Sequence, residues 1–284
     1  MKRFHTITVK PEIPANIQHL GAFADGDLLF DWTAFNVPKG ANKLINVTAL
    51  IRGTDGAAQT FAMNLYFAKT FQGSAPGTLG TLHATANGTG YQNNLIGAWP
   101  IEEVDISPNT GLDLMSLNSG LSNTTSSQAT TPIVLQGEPD SGLNVGYDKL
   151  YVAAITPDGD ANFSTAVETT GALDVSETLT HNVASLDDGS GGSALCKNKF
   201  AVGDIIHAED NIILGEIKTV DTAELTFKVD GTTQYHGNGE VLYTNPSSAT
   251  AWQTINGAGT AGDLADGDEL YNIHPITLIL SFEQ

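Results

Sequence analysis

Leu44-Ile45-Asn46-Val47-Thr48-Ala49-Leu50-Ile51 runs into Gly53-Thr54-Asp55-Gly56, and Thr60-Phe61-Ala62-Met63-Asn64-Leu65-Tyr66-Phe67-Ala68 follows. Both apolar runs are short and rich in β-branched or aromatic residues, and the second alternates imperfectly with period two. The Gly and Asp between them supply turn chemistry. The stretch reads as strand, turn, strand. The texture recurs outward from it, in Leu150-Tyr151-Val152-Ala153-Ala154-Ile155 before Pro157-Asp158-Gly159-Asp160, and in Ile276-Thr277-Leu278-Ile279-Leu280-Ser281-Phe282. No long segment sustains the i, i+3, i+4, i+7 spacing of an amphipathic helix. The expected class is all-β.

Two polar stretches divide the chain. Ser116 to Thr131 is dominated by Ser, Thr and Asn and reads as a long surface loop or an ordered arm. Asp187-Asp188-Gly189-Ser190-Gly191-Gly192-Ser193 reads as a flexible linker. Beyond it the strand signals come closely spaced, at Gly203–His207, Ile212–Val220, Glu224–Val229 and Glu240–Tyr243. Short strands joined by tight turns suit a small closed barrel, because closure removes exposed edges. We therefore expect a jelly-roll-like β-sandwich formed by 1–186 plus 248–284, with a small β-barrel over 187–247 inserted near the C-terminus. The strand at 274–282 would pair back into the first sheet. Tandem domains are the competing arrangement.

Composition narrows the function classes. The 284 residues carry 12 Lys and Arg against 32 Asp and Glu, a net charge of −20, and charged residues make up only 15% of the chain. Phosphate backbones and anionic lipid surfaces repel such a chain within about a Debye length, so neither nucleic acid nor membrane is an expected partner. One cysteine, Cys196, excludes an internal disulfide framework and a multi-cysteine zinc cluster. No apolar run reaches the ~18 residues of a membrane helix. Met1 to Pro11 starts like a signal sequence but lacks its apolar stretch, so a soluble protein without an export signal is expected.

The motifs point to turns rather than chemistry. Asp-Gly-Asp occurs at 25–27, 158–160 and 266–268. Paired acids around a glycine suit a hard cation such as calcium. The second copy, however, has Phe163 where the sharp-turn glycine belongs and Thr169 where a bidentate glutamate belongs. Asp-Gly is also a strong β-turn signal, and that reading is preferred. Gly257-Ala258-Gly259-Thr260-Ala261-Gly262 matches a dinucleotide fingerprint in letters, but Asp263-Leu264-Ala265-Asp266-Gly267 cannot open the helix the fingerprint needs. His5, His19, His83, His181, His207, His236 and His274 stand singly, without metal-ligand spacing. Trp32, Trp99 and Trp252 are expected to fill the space between sheets, an exposed sugar-stacking platform being the alternative. No catalytic, cofactor-binding or metal-ligating residue is assigned, and no enzyme activity is expected.

Two stretches carry a resemblance. Phe23-Ala24-Asp25-Gly26-Asp27-Leu28-Leu29-Phe30, leading through Ile45–Ile51 to Asn64–Phe67, resembles structural proteins of tailed phages, especially those of marine and cyanobacterial hosts. Phe200–Ile206, Gly215–Asp221 and Leu225–Phe227 look like a small barrel common in virion proteins. The resemblance implies a virion protein assembled in the bacterial cytoplasm, a capsid decoration or cement subunit with no catalytic residues. Its partners would be the major capsid protein and further copies of itself, a trimer being favoured. A tail or baseplate component and a carbohydrate-binding module are the alternatives.

The segments expected to touch a partner are Met1–Gln18 and the loop Ser116–Thr131. Pro11 and Pro14 discourage helix, and Lys2, Arg3 and Lys10 would face an acidic patch. Residues 1–18 thus read as an extended arm that adds to a neighbour's sheet edge; alternatively, they form the first strand of the chain's own sandwich.

Overall fold

A computed structural model describes residues 2–18, 20–52, 61–88, 93–102, 106–107, 112–118, 132–139, 146–159, 161–164, 167–169, 180–184, 200–207, 213–220, 224–229, 241–244 and 269–284. Strands β1 (Phe4–Val9), β3 (Asn42–Arg52), β6 (Ile106–Ser107), β7 (Leu112–Asn118), β8 (Ile133–Leu135) and β17 (Ile276–Glu283) form a six-stranded sheet. Its order is β1-β17-β3-β7-β6, with β8 also paired to β3. Strands β2 (Leu28–Pro38), β4 (Met63–Lys69), β5 (Leu95–Ile101) and β9 (Tyr147–Ile155) form a second sheet in the order β2-β9-β4-β5. All pairings in both sheets are antiparallel. The protein is an all-β sandwich.

The alternation of apolar and polar residues sets which face is buried. In β17, Ile276, Leu278, Leu280 and Phe282 are fully buried while Thr277, Ile279, Ser281 and Glu283 between them are half-buried. In β3, Leu44, Val47, Ala49 and Ile51 join them in one core with Leu65, Phe67, Trp99 and Val152 of the other sheet. Phe35 and Phe67 meet edge to face at 6.4 Å and 83°. Each such large side chain contributes roughly 1.5–3 kcal/mol through burial. Together they hold the two sheets face to face.

Strand β9 departs from alternation, since Leu150 to Ala154 are all buried. A second cluster explains it. Leu28, Leu79 and Ala153 pack with Trp32, Leu82, Ala86 and Ile155 on the outer face of the four-stranded sheet, where residues 77–86 lie over it. Asp31 accepts hydrogen bonds from the Leu79 amide (3.2 Å) and the Thr78 hydroxyl (2.6 Å), and Trp32 Nε1 donates to the Gly77 carbonyl (2.9 Å). A strand covered on both faces reads as a continuous apolar run.

Seven further strands close into a barrel, in the order β10-β11-β14-β13-β12-β15-β16. They are β10 (Val167–Thr169), β11 (Thr180–Ala184), β12 (Ile205–His207), β13 (Ile213–Val220), β14 (Glu224–Val229), β15 (Val241–Thr244) and β16 (Glu269–Asn272). All lie between β9 and β17 along the chain, and only β15 and β16 run parallel. The barrel draws on both sides of the 187–247 interval to which the sequence assigned it, since β10 and β11 precede that interval and β16 follows it. The run Asp187–Ser193, taken as a boundary, lies outside the described residues, and the strands flanking it belong to the same barrel.

The N-terminal arm is corrected. Phe4–Val9 pair in unbroken register with Glu283–Leu278, so the segment is the first strand of its own sandwich. Behind it, Ile13 and Ala15 are fully buried, and the short helix α1 (Ala15–Gln18) places Gln18 to donate to the carbonyls of Ile13 (2.6 Å) and Asn272 (2.9 Å). Both prolines precede this helix, and the Pro14 carbonyl accepts the Ile17 and Gln18 amides (2.9 and 3.0 Å), so the segment folds back instead of extending a free arm. The expected loop 116–131 begins inside β7, which reaches Asn118; residues 119–131 lie outside the described residues.

Candidate functional site

Among the described residues strand β1 sits at the end of its sheet, with β17 as its one strand partner there. Arg3 and Gln284 exchange both backbone hydrogen bonds, at 3.1 and 2.9 Å. An antiparallel ladder alternates bonded and non-bonded pairs. The odd residues His5, Ile7 and Val9 therefore turn their amides toward β17, and Phe4, Thr6 and Thr8 turn theirs toward the outer edge. Phe4, Thr6 and Thr8 are exposed, Phe4 to 66%. No bulge, proline or charged residue interrupts β1.

The end of that strand gathers charge. Lys2 forms an ion pair with Glu283, and Lys43 of β3 reaches the other carboxylate oxygen at 3.6 Å. These lysines hold the Glu283 carboxyl below the usual range, the Lys2 contact being the larger influence. Arg3 pairs with Gln284 through the backbone, and Gln284 Nε2 donates to the Lys39 carbonyl (2.8 Å). Lys2 and Lys43 thus meet at Glu283, and the backbones of Arg3 and Lys39 at Gln284, although the chain has only 12 basic side chains. The sequence reading grouped Lys2 and Arg3 with Lys10 as one positive tail. It missed Lys39 and Lys43, which no local signal marks and which join the group only through the β1-β17-β3 order.

The first two Asp-Gly-Asp turns come together. Gly26 donates to the Thr156 carbonyl (2.8 Å), Thr156 returns a bond to Asp27 (3.0 Å), and Phe23 bonds Ala161 (2.8 Å). Asp27 is buried, accepts from the Ala24 amide at 2.8 Å, and lies 3.9 Å from His83 Nδ1. His83, at φ 59°, packs its ring against Phe23 with centroids 4.5 Å apart. These contacts tie the start of β2 to the end of β9 and to residues 83–86. Among the described residues no group of three or more His, Cys, Asp or Glu could hold a metal ion. Asp160 and the third copy, 266–268, lie outside the described residues.

The remaining motif residues separate. Trp99 is core, at 1% exposure, whereas Trp32 is half-buried and held by Gly77, so these two rings form no shared exposed platform. His5 stacks on Phe282 at 5.3 Å and burial pushes its pKa down. His274 Nδ1 lies 2.9 Å from the Pro11 carbonyl. His181 and His207 fall on barrel strands β11 and β12. Cys196, His19, His236, Trp252 and the glycines of 257–262 lie outside the described residues.

No family model matches the chain, and no curated protein does. Among solved structures, a chain of deformed wing virus, a honeybee pathogen, aligns with 99% of this chain and 84% of its own length. The identity is 7% and the TM-score 0.15, a likeness that carries no argument about fold or role.

Proposed function

We propose that the chain is a virion structural protein, a capsid decoration or cement subunit bound to the outside of a major capsid shell. The observation that carries the reading is strand order. Sheet β1-β17-β3-β7 faces β2-β9-β4-β5, an order that supports reading the sandwich as an eight-stranded jelly roll. On this reading the barrel is an insertion between the last two strands of the roll. Jelly rolls build viral capsid proteins as well as lectins, and the phage resemblance of Phe23–Phe30 favours the former. The protein would act without catalysis, as a homo-oligomer (a trimer), using many copies of a modest interface.

Rebinding tests this. Purified protein is mixed with capsids stripped of their outer proteins, and bound copies are counted by sedimentation and electron microscopy. Saturation at regular lattice positions on the shell supports decoration. Labelling confined to the tail or baseplate, or no saturable binding, overturns it.

A further inference from the structure

We infer that the open edge of β1, with the basic corner at its N-terminal end, docks an extended acidic segment of a partner protein, which adds to the six-stranded sheet as a further strand. The inference stands apart from the virion reading, because it needs only the edge and the charges around it.

The edge supplies the ladder. Phe4, Thr6 and Thr8 present amides and carbonyls outward, and all three residues are exposed. Folded proteins ordinarily blunt such an edge with a bulge, a proline or an inward-pointing charge. Phe4–Val9 has none of these. An added strand would gain main-chain hydrogen bonds from this edge and would lay every second side chain alongside Phe4, Thr6 and Thr8.

Charge selects the occupant. In a chain of net charge −20, exposed Lys2 and Arg3 stand at one end of this edge and exposed Lys10 just beyond the other, and β1 itself carries no carboxylate. Glu283 is already engaged by Lys2 and by Lys43 of β3. Asp148 is buried, held by the amides of Gly40 (3.2 Å) and Gly137 (3.0 Å). A carboxylate-bearing strand would therefore meet excess positive charge here, while the rest of the acidic surface repels it and so confines it to this edge. A second copy of the chain fits less well. Antiparallel pairing of two β1 strands would bring Lys2 and Arg3 of one chain near Lys10 of the other.

The test uses the full chain and a synthetic peptide of about ten residues alternating glutamate and valine, compared with its lysine–valine counterpart. Binding is read by titration calorimetry at low and at physiological salt. The acidic peptide should bind and weaken as salt rises, while the lysine peptide should not bind. Thr6→Pro removes an outward amide and no bond to β17, a position where an edge strand tolerates proline. It should weaken binding at least about tenfold with an unchanged melting temperature. A second variant, Arg3→Gln with Lys10→Gln, should weaken binding several-fold and flatten the salt dependence without touching the ladder. Equal binding of both peptides, binding by neither, or full binding by the two variants overturns the inference. So does self-association of the wild-type chain that Thr6→Pro abolishes, which would make the occupant a second copy.

Discussion

Gly137 lies directly against the side chain of Asp148: a Cβ built on Gly137 would stand 2.6 Å from Asp148 Cβ and 2.7 Å from its carboxyl carbon. The same carboxylate accepts the Gly137 amide at 3.0 Å and the Gly40 amide at 3.2 Å. It thereby fastens the segment after β8 and the β2–β3 turn to the start of β9. Gly137→Ala should cost about 1–3 kcal/mol through overpacking, read as a lower denaturation midpoint at constant m-value. In an Asp148→Gly background the clashing atoms are gone, and the same substitution should be nearly neutral. Equal costs in both backgrounds would refute the contact as the cause.

Acid should destabilise the sandwich through three groups that act in the same direction. Glu138 accepts the amides of Gly73 (2.9 Å) and Gln72 (2.6 Å) and the Thr70 hydroxyl (3.0 Å). Led by the Gly73 bond, these contacts hold its pKa below 4.5, and Lys2 does the same for Glu283. A depressed carboxyl stabilises the fold above its unfolded value, and that contribution is lost as the pH falls through the folded value. His5 is depressed from 6.5 by burial, so its unfolded form takes the proton first and stability declines as the pH drops below 6.5. Denaturant midpoints measured from pH 8 to 3 should fall in two stages, and His5→Phe should remove the first. A midpoint that rises on acidification would contradict all three assignments.

The Asp-Gly-Asp turns are expected to be conformational. Gly26 sits at φ +80°, which an L side chain adopts at a cost of about 1–2 kcal/mol, so Gly26→Ala should lower stability by that amount. EDTA should leave the melting temperature unchanged. A rise of several degrees with added calcium would instead mean that the folded state binds the ion.

Deleting residues 1–18 should now unfold or strongly destabilise the protein. The deletion exposes the edge of β17 and removes Val9, Ile13 and Ala15 from the core. Circular dichroism and thermal melting decide: a truncated chain that melts like the full one would mean that β1 contributes little to the sandwich.

The strands legible in the sequence are those buried on one face. Leu278, Leu280 and Phe282 alternate with Ile279 and Ser281, and β17 pairs back into the first sheet as expected, where its place between β1 and β3 was not legible. Leu150–Ile155 was legible as a strand but not as one covered on both faces, because its cover is the loop around Leu79, far away in sequence. The edge role of β1 had competing readings because Ile7 and Val9 serve an arm or a core equally well. The basic corner was not legible. Lys39 and Lys43 look like ordinary turn and strand-edge residues until β17 draws Glu283 and Gln284 between them and Lys2.

Placing β17 between β1 and β3 also has a consequence for synthesis. The first strand and the third each depend on residues translated last among the described strands, so the six-stranded sheet cannot assemble in the order in which it is made. With about 270 residues between β1 and β17 and elongation at roughly 5–20 residues per second, β1 waits on the order of tens of seconds for its partner. During that wait Phe4, Ile7 and Val9 stand on an unpaired strand, and the flank of β3 that β17 will occupy is open. Such long-range pairing folds slowly. Yield in the producing cell should therefore depend on chaperone supply and temperature more than the stability of the finished sandwich would suggest.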